Sequence, residues 1–141
     1  MQNRKAKFDY EFTDKYTAGI ILTSSEVKSL RTTGVSFTDS HIILKNGELY
    51  VTGLYIPRYK PASFNNHIET RERKLLLRKK EVGEIIKKMT DKGIVVIPLS
   101  IIINNGKFKM VIGVGRGKKN RDKRQTIKDR DQKREIERSL Q

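Results

Sequence analysis

The stretch IVVIPLSIIINNGKFKMVIGVGRG, residues 94–117, carries the clearest structural pattern of this chain. Its first ten residues are uncharged, and the triplet Asn104-Asn105-Gly106 follows them. Beyond this triplet, apolar side chains occupy alternate positions, at Phe108, Met110, Ile112 and Val114. Strict alternation is typical of a strand with one buried face, and Asn-Gly favours the positive φ angles of a tight turn. The stretch therefore predicts a β-hairpin.

Two segments nearer the N-terminus also have strand patterns. Apolar or aromatic residues occupy most even positions from Phe8 to Leu22, which predicts a half-buried strand. Asn46-Gly47 separates the apolar segments 42–44 and 49–56, which predicts a second hairpin.

Helical patterns lie between these strands. In TSSEVKSLRTTG, residues 23–34, Thr23 and Glu26 have the spacing of a capping box, and Gly34 follows as a stop signal. A second amphipathic helix is indicated by the spacing of Val82, Ile85, Ile86 and Met89.

The order of these elements predicts the fold class. Residues 57–73 show no period, contain prolines and asparagines, and are expected to form a loop. We expect a mainly β protein, namely a small antiparallel β-barrel of the oligonucleotide-binding type with two packed helices.

The C-terminal segment differs in composition from the rest of the chain. Residues 116–141 are mainly basic and contain only three aliphatic side chains, Ile127, Ile136 and Leu140. Such a segment buries too little apolar surface to offset its ordering entropy, so we expect it to be disordered alone and to order on a polyanion. The sequence thus predicts a β-barrel domain over 1–117 and a basic tail over 118–141.

The charge of the whole chain narrows the class of partner. Thirty-one Lys and Arg against 16 Asp and Glu give a formal net charge of +15, which indicates attraction to a polyanion such as nucleic acid. A membrane is not favoured, because the only long uncharged run, 94–103, is too short to span one. The absence of cysteine fits a reducing compartment, and we expect a cytoplasmic protein.

No residue pattern predicts an enzyme, a cofactor or a metal site. The glycines at 113, 115 and 117 lack the spacing of a phosphate-binding loop, so they indicate a strand end. Neither His41 nor His67 has a second ligand at metal-binding spacing. Asp9, Glu11 and Asp14 are better explained as the polar face of the first strand. Candidates for stacking on RNA bases are Tyr10, Tyr55, Tyr59 and Phe64, although core packing is favoured for each of them.

Four segments in this order resemble the small protein B family, the SsrA-binding proteins of bacterial trans-translation. They are NRKAKFDY at 3–10, AGIILTSSEVKSLR at 18–31, RKLLL at 73–77 and GKKNRDKRQTIKDRDQKREI at 117–136. The resemblance implies that the barrel binds the tRNA-like domain of tmRNA (SsrA RNA) and delivers it to stalled ribosomes. It also implies that the tail becomes helical when it binds the mRNA channel and decoding centre of the small subunit.

The resemblance assigns roles to individual residues. RNA binding is expected of Asn3, Arg4 and Lys5 by motif, and of Lys7, Lys28, Lys74, Lys118 and Lys119 mainly by charge. Ribosome binding by the tail is expected of Asp122, Lys123, Arg124, Ile127, Lys128 and Arg130. Many members of the family carry an acidic residue where this chain has Thr17, so no RNA contact is assigned to Thr17. A structural role is expected for Glu26, and the free protein is expected to be a monomer.

The main alternative is a generic ribosome-associated or RNA-chaperone protein that uses the same charge without selecting tmRNA. A nuclease or RNA-modifying enzyme is the other alternative, and it would require a dependence on metal or nucleotide.

Overall fold

The computed structural model describes residues 1–61 and 66–118. The helices are α1 (Arg4–Asp9), α2 (Ser24–Thr32) and α3 (Lys79–Met89). The strands are β1 (Tyr10–Ile20), β2 (His41–Lys45), β3 (Glu48–Thr52), β4 (Arg73–Leu76), β5 (Ile94–Asn104) and β6 (Lys107–Gly117). They form one six-stranded antiparallel sheet in the order β2-β3-β4-β1-β6-β5, and its edge strands β2 and β5 approach each other. The predicted mainly β barrel is confirmed.

Both predicted hairpins are present. In the β5–β6 hairpin Ile103 is opposite Phe108, and Asn105 and Gly106 have φ angles of 51° and 75°. In the β2–β3 hairpin Asn46 and Gly47 have φ angles of 52° and 75°. Positive φ at both central positions is the requirement of the turn that joins right-twisted strands, and Asn-Gly meets this requirement in both hairpins.

Two elements depart from the prediction. The first two residues of the segment predicted as a strand, Phe8 and Asp9, instead form the end of helix α1. The Asn3 side chain caps the start of this helix, and Ala6 is buried beneath it. Asp9 therefore ends a helix, and the expectation from the sequence that it shares a strand face with Glu11 is wrong. Strand β4, which no sequence pattern predicted, begins at Arg73 at the end of the predicted loop 57–73 and pairs with β1 and β3.

The barrel interior is filled by alternate residues of the strands. Met110, Ile112 and Val114 of β6 point into it, together with Leu30 of α2 and Ile85 of α3. The two predicted helices therefore complete one core, to which the third helix, α1, does not belong.

A second, smaller apolar cluster lies on the outer side of the sheet. Ala6 of α1 packs there on Ile97 and Leu99 of β5, with Phe12 and Val111 beside them. The glycines of β6 permit this approach. A Cβ on Gly113 would lie 2.7 Å from the Phe12 ring, and one on Gly115 would lie 2.1 Å from the Glu11 carbonyl oxygen. These glycines thus lie inside a strand and serve packing.

The proposed tail extends beyond the described residues. Only Lys118 of the predicted tail is described, and seven residues to which a role was assigned lie outside the described ranges: Lys119, Asp122, Lys123, Arg124, Ile127, Lys128 and Arg130.

Candidate nucleic-acid interface

Helix α1 presents a cluster of basic side chains. Arg4, Lys5 and Lys7 are exposed, whereas Asn3 is only 7% exposed. The Asn3 side chain accepts a hydrogen bond from Ala6 N at 3.2 Å and donates one to Pro98 O at 2.8 Å. Asn3 therefore holds α1 against β5, so its contribution to an RNA surface is to position the basic residues that follow it.

The end of β6 extends this cluster. Lys118 N donates to Asp9 O at 2.8 Å, which places Lys118 at the C-terminal end of α1. Arg116 is exposed on the same strand end, opposite Glu11 of β1. Alternation along β6 places Arg116 on the same face as Val114 and opposite Ile94, which packs against the main core, so it does not join the cluster on α1. We call Arg4, Lys5, Lys7 and Lys118 the N-terminal patch.

An open groove of about 660 Å³ lies on the sheet near this patch. Its lining includes Leu76, which is 52% exposed and opposite Gly19 of β1. Cationic side chains line it at Lys15 of β1, Lys109 of β6 and Arg78 before α3, together with the anionic Glu81 of α3. We call it the sheet groove. An apolar floor with mainly cationic walls suits a nucleic acid, whose bases are apolar on their faces and whose phosphates are anionic.

The N-terminal patch and the sheet groove are connected through β6. Val111 is opposite Thr17 of β1, and it packs on the small cluster beneath α1. Thr17 itself lines the sheet groove and is exposed. The patch and the groove therefore form one continuous outer surface, and Thr17 brings no negative charge to it.

The remaining predicted residues, Lys74 and Lys28, have other surroundings. Lys74 lies two residues from Leu76, but its Nζ is 2.9 Å from Glu48 Oε1, and this hydrogen bond raises the pKa of Lys74. Lys28 is on α2, where its Nζ lies 5.8 Å from the centre of the Tyr59 ring. Lys28 is thus not part of the surface formed by α1 and the sheet groove.

Beneath α2 lies a buried ionic cluster that explains the capping motif. Thr23 N donates to Glu26 Oε1 at 2.8 Å, as the capping box predicts. The same carboxylate accepts hydrogen bonds from Arg71 at 2.6 Å and from the fully buried Arg73. Arg73 also donates to Leu54 O at 2.8 Å. The structural role expected for Glu26 is therefore confirmed, and it includes ion pairs with Arg71 and Arg73 in addition to the helix cap.

The electrostatics of Glu26 follow from these contacts. Burial alone would raise the pKa of Glu26, but hydrogen bonds from the two guanidinium groups and the Thr23 backbone outweigh it. The pKa of Glu26 is consequently lowered, and its carboxylate is charged at neutral pH. The sequence offered no direct signal for this cluster, because Arg71 and Arg73 are 45 and 47 residues from Glu26 along the chain.

Within 1–61 and 66–118, no three His, Cys, Asp or Glu side chains come close enough to hold a metal ion. His67 is buried, with Nδ1 2.8 Å from Ser25 Oγ and Nε2 2.8 Å from Ile56 O. None of the helices in this part of the chain has the length and apolar character needed to cross a membrane.

Comparisons with known proteins agree with this geometry. The SsrA-binding proteins of Sulfurihydrogenibium sp. and Lactobacillus acidophilus are each 45% identical, over 98% and 97% of this chain and 91% of each relative. A solved structure described as "tmRNA-SmpB: a journey to the center of the bacterial ribosome" matches with a TM-score of 0.72 at 41% identity. That match covers 90% of this chain and 93% of the other. The family model of the SmpB protein matches residues 1–141, and the chain belongs to this family.

Proposed function

We propose that this protein is an RNA-binding adaptor that binds the tRNA-like domain of tmRNA and delivers it to stalled ribosomes for trans-translation. The observation that carries the proposal is the continuous outer surface of the N-terminal patch and the sheet groove. Family membership supplies the identity of the RNA, since relatives at 45% identity are SsrA-binding proteins. The solved relative at 41% identity is described with tmRNA and the ribosome, which supports both partners.

The surface binds RNA through complementary contacts. Arg4, Lys5 and Lys7 on α1 meet phosphates as exposed cations, while Asn3 holds the helix in place. Leu76 provides an apolar surface in the groove that Lys15 and Lys109 also line, where an unstacked base can lie. The role proposed for this surface is to bind and position the RNA.

The tail performs the second half of the function. Residues 118–141 are proposed to bind the small-subunit decoding centre and mRNA channel, with contacts from Asp122, Lys123, Arg124, Ile127, Lys128 and Arg130. A ribosome as partner supports the cytoplasmic location expected from the sequence. The generic RNA-chaperone alternative uses the same charge, and it differs in predicting no preference for the tRNA-like domain over duplex RNA of equal length.

Replacing Arg4 and Lys5 with alanine tests the N-terminal patch. We expect lower affinity for the tRNA-like domain and a shallower dependence of binding on salt, because each lost phosphate contact removes about 0.7 to 0.9 from the logarithmic slope. Equilibrium binding measured across a salt series gives both quantities. Lys45→Ala/Lys87→Ala is the matched control, since it removes two exposed lysines, on β2 and α3, that belong neither to the patch nor to the sheet groove. An unchanged slope in the double variant would remove the patch from the interface.

A further inference from the structure

We propose that Glu81 determines base specificity in the sheet groove, by accepting hydrogen bonds from the edge of an unstacked guanine. The inference rests on the proposed function and deepens it, because it names the group on the protein that distinguishes one base from another. The cations of the groove attract every RNA alike, since phosphates carry no sequence information. Selection of a base therefore needs a different kind of group in the same groove.

Glu81 has acceptor atoms to spare for such a contact. Among the described residues that line the groove, it alone carries a carboxylate. Within 1–61 and 66–118, no Lys or Arg side chain forms an ion pair with it. Its Oε1 accepts a hydrogen bond from Arg78 N at 3.3 Å, which caps α3. A carboxylate has about four lone-pair sites, so this cap leaves acceptors for a ligand.

Helix α3 holds Glu81 in a fixed place beside the sheet. Ile85, one turn after Glu81, is fully buried in the core. Near the other end of the helix, Lys88 Nζ lies 2.9 Å from Asp14 Oδ2 and donates to Tyr16 OH at 2.9 Å, which fastens α3 to β1. A carboxylate on a helix held in this way is positioned before the ligand arrives, which lowers the entropic cost of binding.

The hydrogen-bonding pattern of the bases favours guanine as the ligand. Guanine presents two adjacent donors, N1–H and the N2 amino group, which match the two oxygens of a carboxylate. Cytosine and adenine each present one amino group beside an acceptor. Uracil presents its single N–H between two carbonyl oxygens, which repel a carboxylate. Leu76, 52% exposed in the same groove, offers an apolar surface for the face of the base.

The mixed charge of the groove argues against other classes of ligand. An acidic peptide would use the cations at Lys15, Arg78 and Lys109, but Glu81 would repel it. A cationic peptide or a polyamine would use Glu81, but the three cations would repel it. A nucleotide satisfies both signs, because it carries phosphates for the cations and amino donors for the carboxylate.

Glu81→Gln tests the assignment in the full-length protein. Glutamine has almost the same shape and can also cap α3, but its amide has one acceptor oxygen and one donor group, so it cannot accept from both donors of guanine. The probes are short single-stranded uridine oligomers in which the central nucleotide is guanosine, inosine or uridine. Inosine lacks the N2 amino group of guanosine. Fluorescence anisotropy gives the equilibrium affinity for each probe.

The expected result is a change in preference. Wild type should bind the guanosine probe about tenfold more tightly than the inosine or uridine probe, because hydrogen bonds to a charged group are strong. Glu81→Gln should lose this preference, while its affinity for the uridine probe should stay equal or rise, since a charge that repels phosphates is gone. Glu72→Gln is the matched control, because it removes an exposed carboxylate outside the groove and should keep the preference for guanosine.

Several results would overturn the inference. A wild-type ratio of guanosine to inosine affinity near one would do so without any variant. A guanosine preference retained by Glu81→Gln would also do so, and so would an equal change in affinity for all three probes, in either direction. The proposed function has a separate test, since wild-type protein without preference for the tRNA-like domain over duplex RNA of equal length would contradict it whatever the oligomers show.

Discussion

Deleting residues 122–141 is expected to abolish peptide tagging on stalled ribosomes while tmRNA binding remains nearly intact. The barrel presents its RNA surface without the tail, because the N-terminal patch and the sheet groove lie within residues 4–118. The deleted segment carries seven Lys and Arg against five Asp and Glu, a net charge of +2 out of +15. Its removal therefore takes away little of the attraction for RNA. Tagging in a reconstituted translation system and equilibrium tmRNA affinity are the two measurements.

A smaller change tests whether the motif at 122–124, and not only the length of the tail, is required for tagging. Alanine at Asp122, Lys123 and Arg124 should also abolish tagging with tmRNA affinity retained. Alanine at Asp91 and Lys92, an exposed acidic and basic pair in the turn before β5, is the control and should tag normally. On-rates can fall through weaker electrostatic steering, so equilibrium affinity is the proper readout. Normal tagging by the deletion variant would refute the two-part function.

Glu26→Ala is expected to destabilise the fold by about 3 to 5 kcal/mol, the largest stability effect we predict. The substitution leaves Arg73 fully buried without its carboxylate partner, and the retained hydrogen bond to Leu54 O does not neutralise its charge. Urea unfolding at pH 7 measures the loss. Glu72→Ala is the matched control, because Glu72 forms an exposed pair with Lys45 at 3.4 Å and should leave the unfolding midpoint almost unchanged. Equal midpoints for both variants would contradict a structural role for the cluster.

The same cluster predicts a pH dependence. Since the pKa of Glu26 is lower in the folded than in the unfolded protein, its charge stabilises the fold above the unfolded pKa of about 4.3. This contribution is lost as the pH falls through the folded value. The stability difference between wild type and Glu26→Gln should therefore be full at pH 7 and shrink below about pH 4. A difference that stays constant down to pH 3 would show that the charge of Glu26 is not what matters.

The sheet was predictable where a single local rule decides the structure. Strict alternation in β6, Asn-Gly turns and the Thr23–Glu26 capping box each specify backbone geometry within a few residues. Helix α1 and strand β4 were missed because each is short and is stabilised by distant partners. Asn3 caps α1 only once β5 supplies Pro98 O, and β4 exists through its pairing with β1 and β3.

The candidate interface was predictable in its chemistry more than in its geometry. Charge and motif indicated Arg4, Lys5 and Lys7, and the structure places them on one exposed helix. The sheet groove could not be derived, because the exposure of Leu76 depends on its register opposite Gly19. The separation of Lys28 from the patch likewise depends on how α2 packs. Sequence reports residue type, whereas a shared surface is a property of the assembled sheet.

Sequencing the RNA that copurifies with the full-length protein tests the central claim most directly. The claim is that the folded surface selects one structured RNA, and it predicts strong enrichment of tmRNA over ribosomal and messenger RNA. Enrichment should fall in the Arg4→Ala/Lys5→Ala variant and persist when residues 122–141 are removed. A copurified population that mirrors total cellular RNA in wild type would contradict the claim and favour a generic RNA-binding protein.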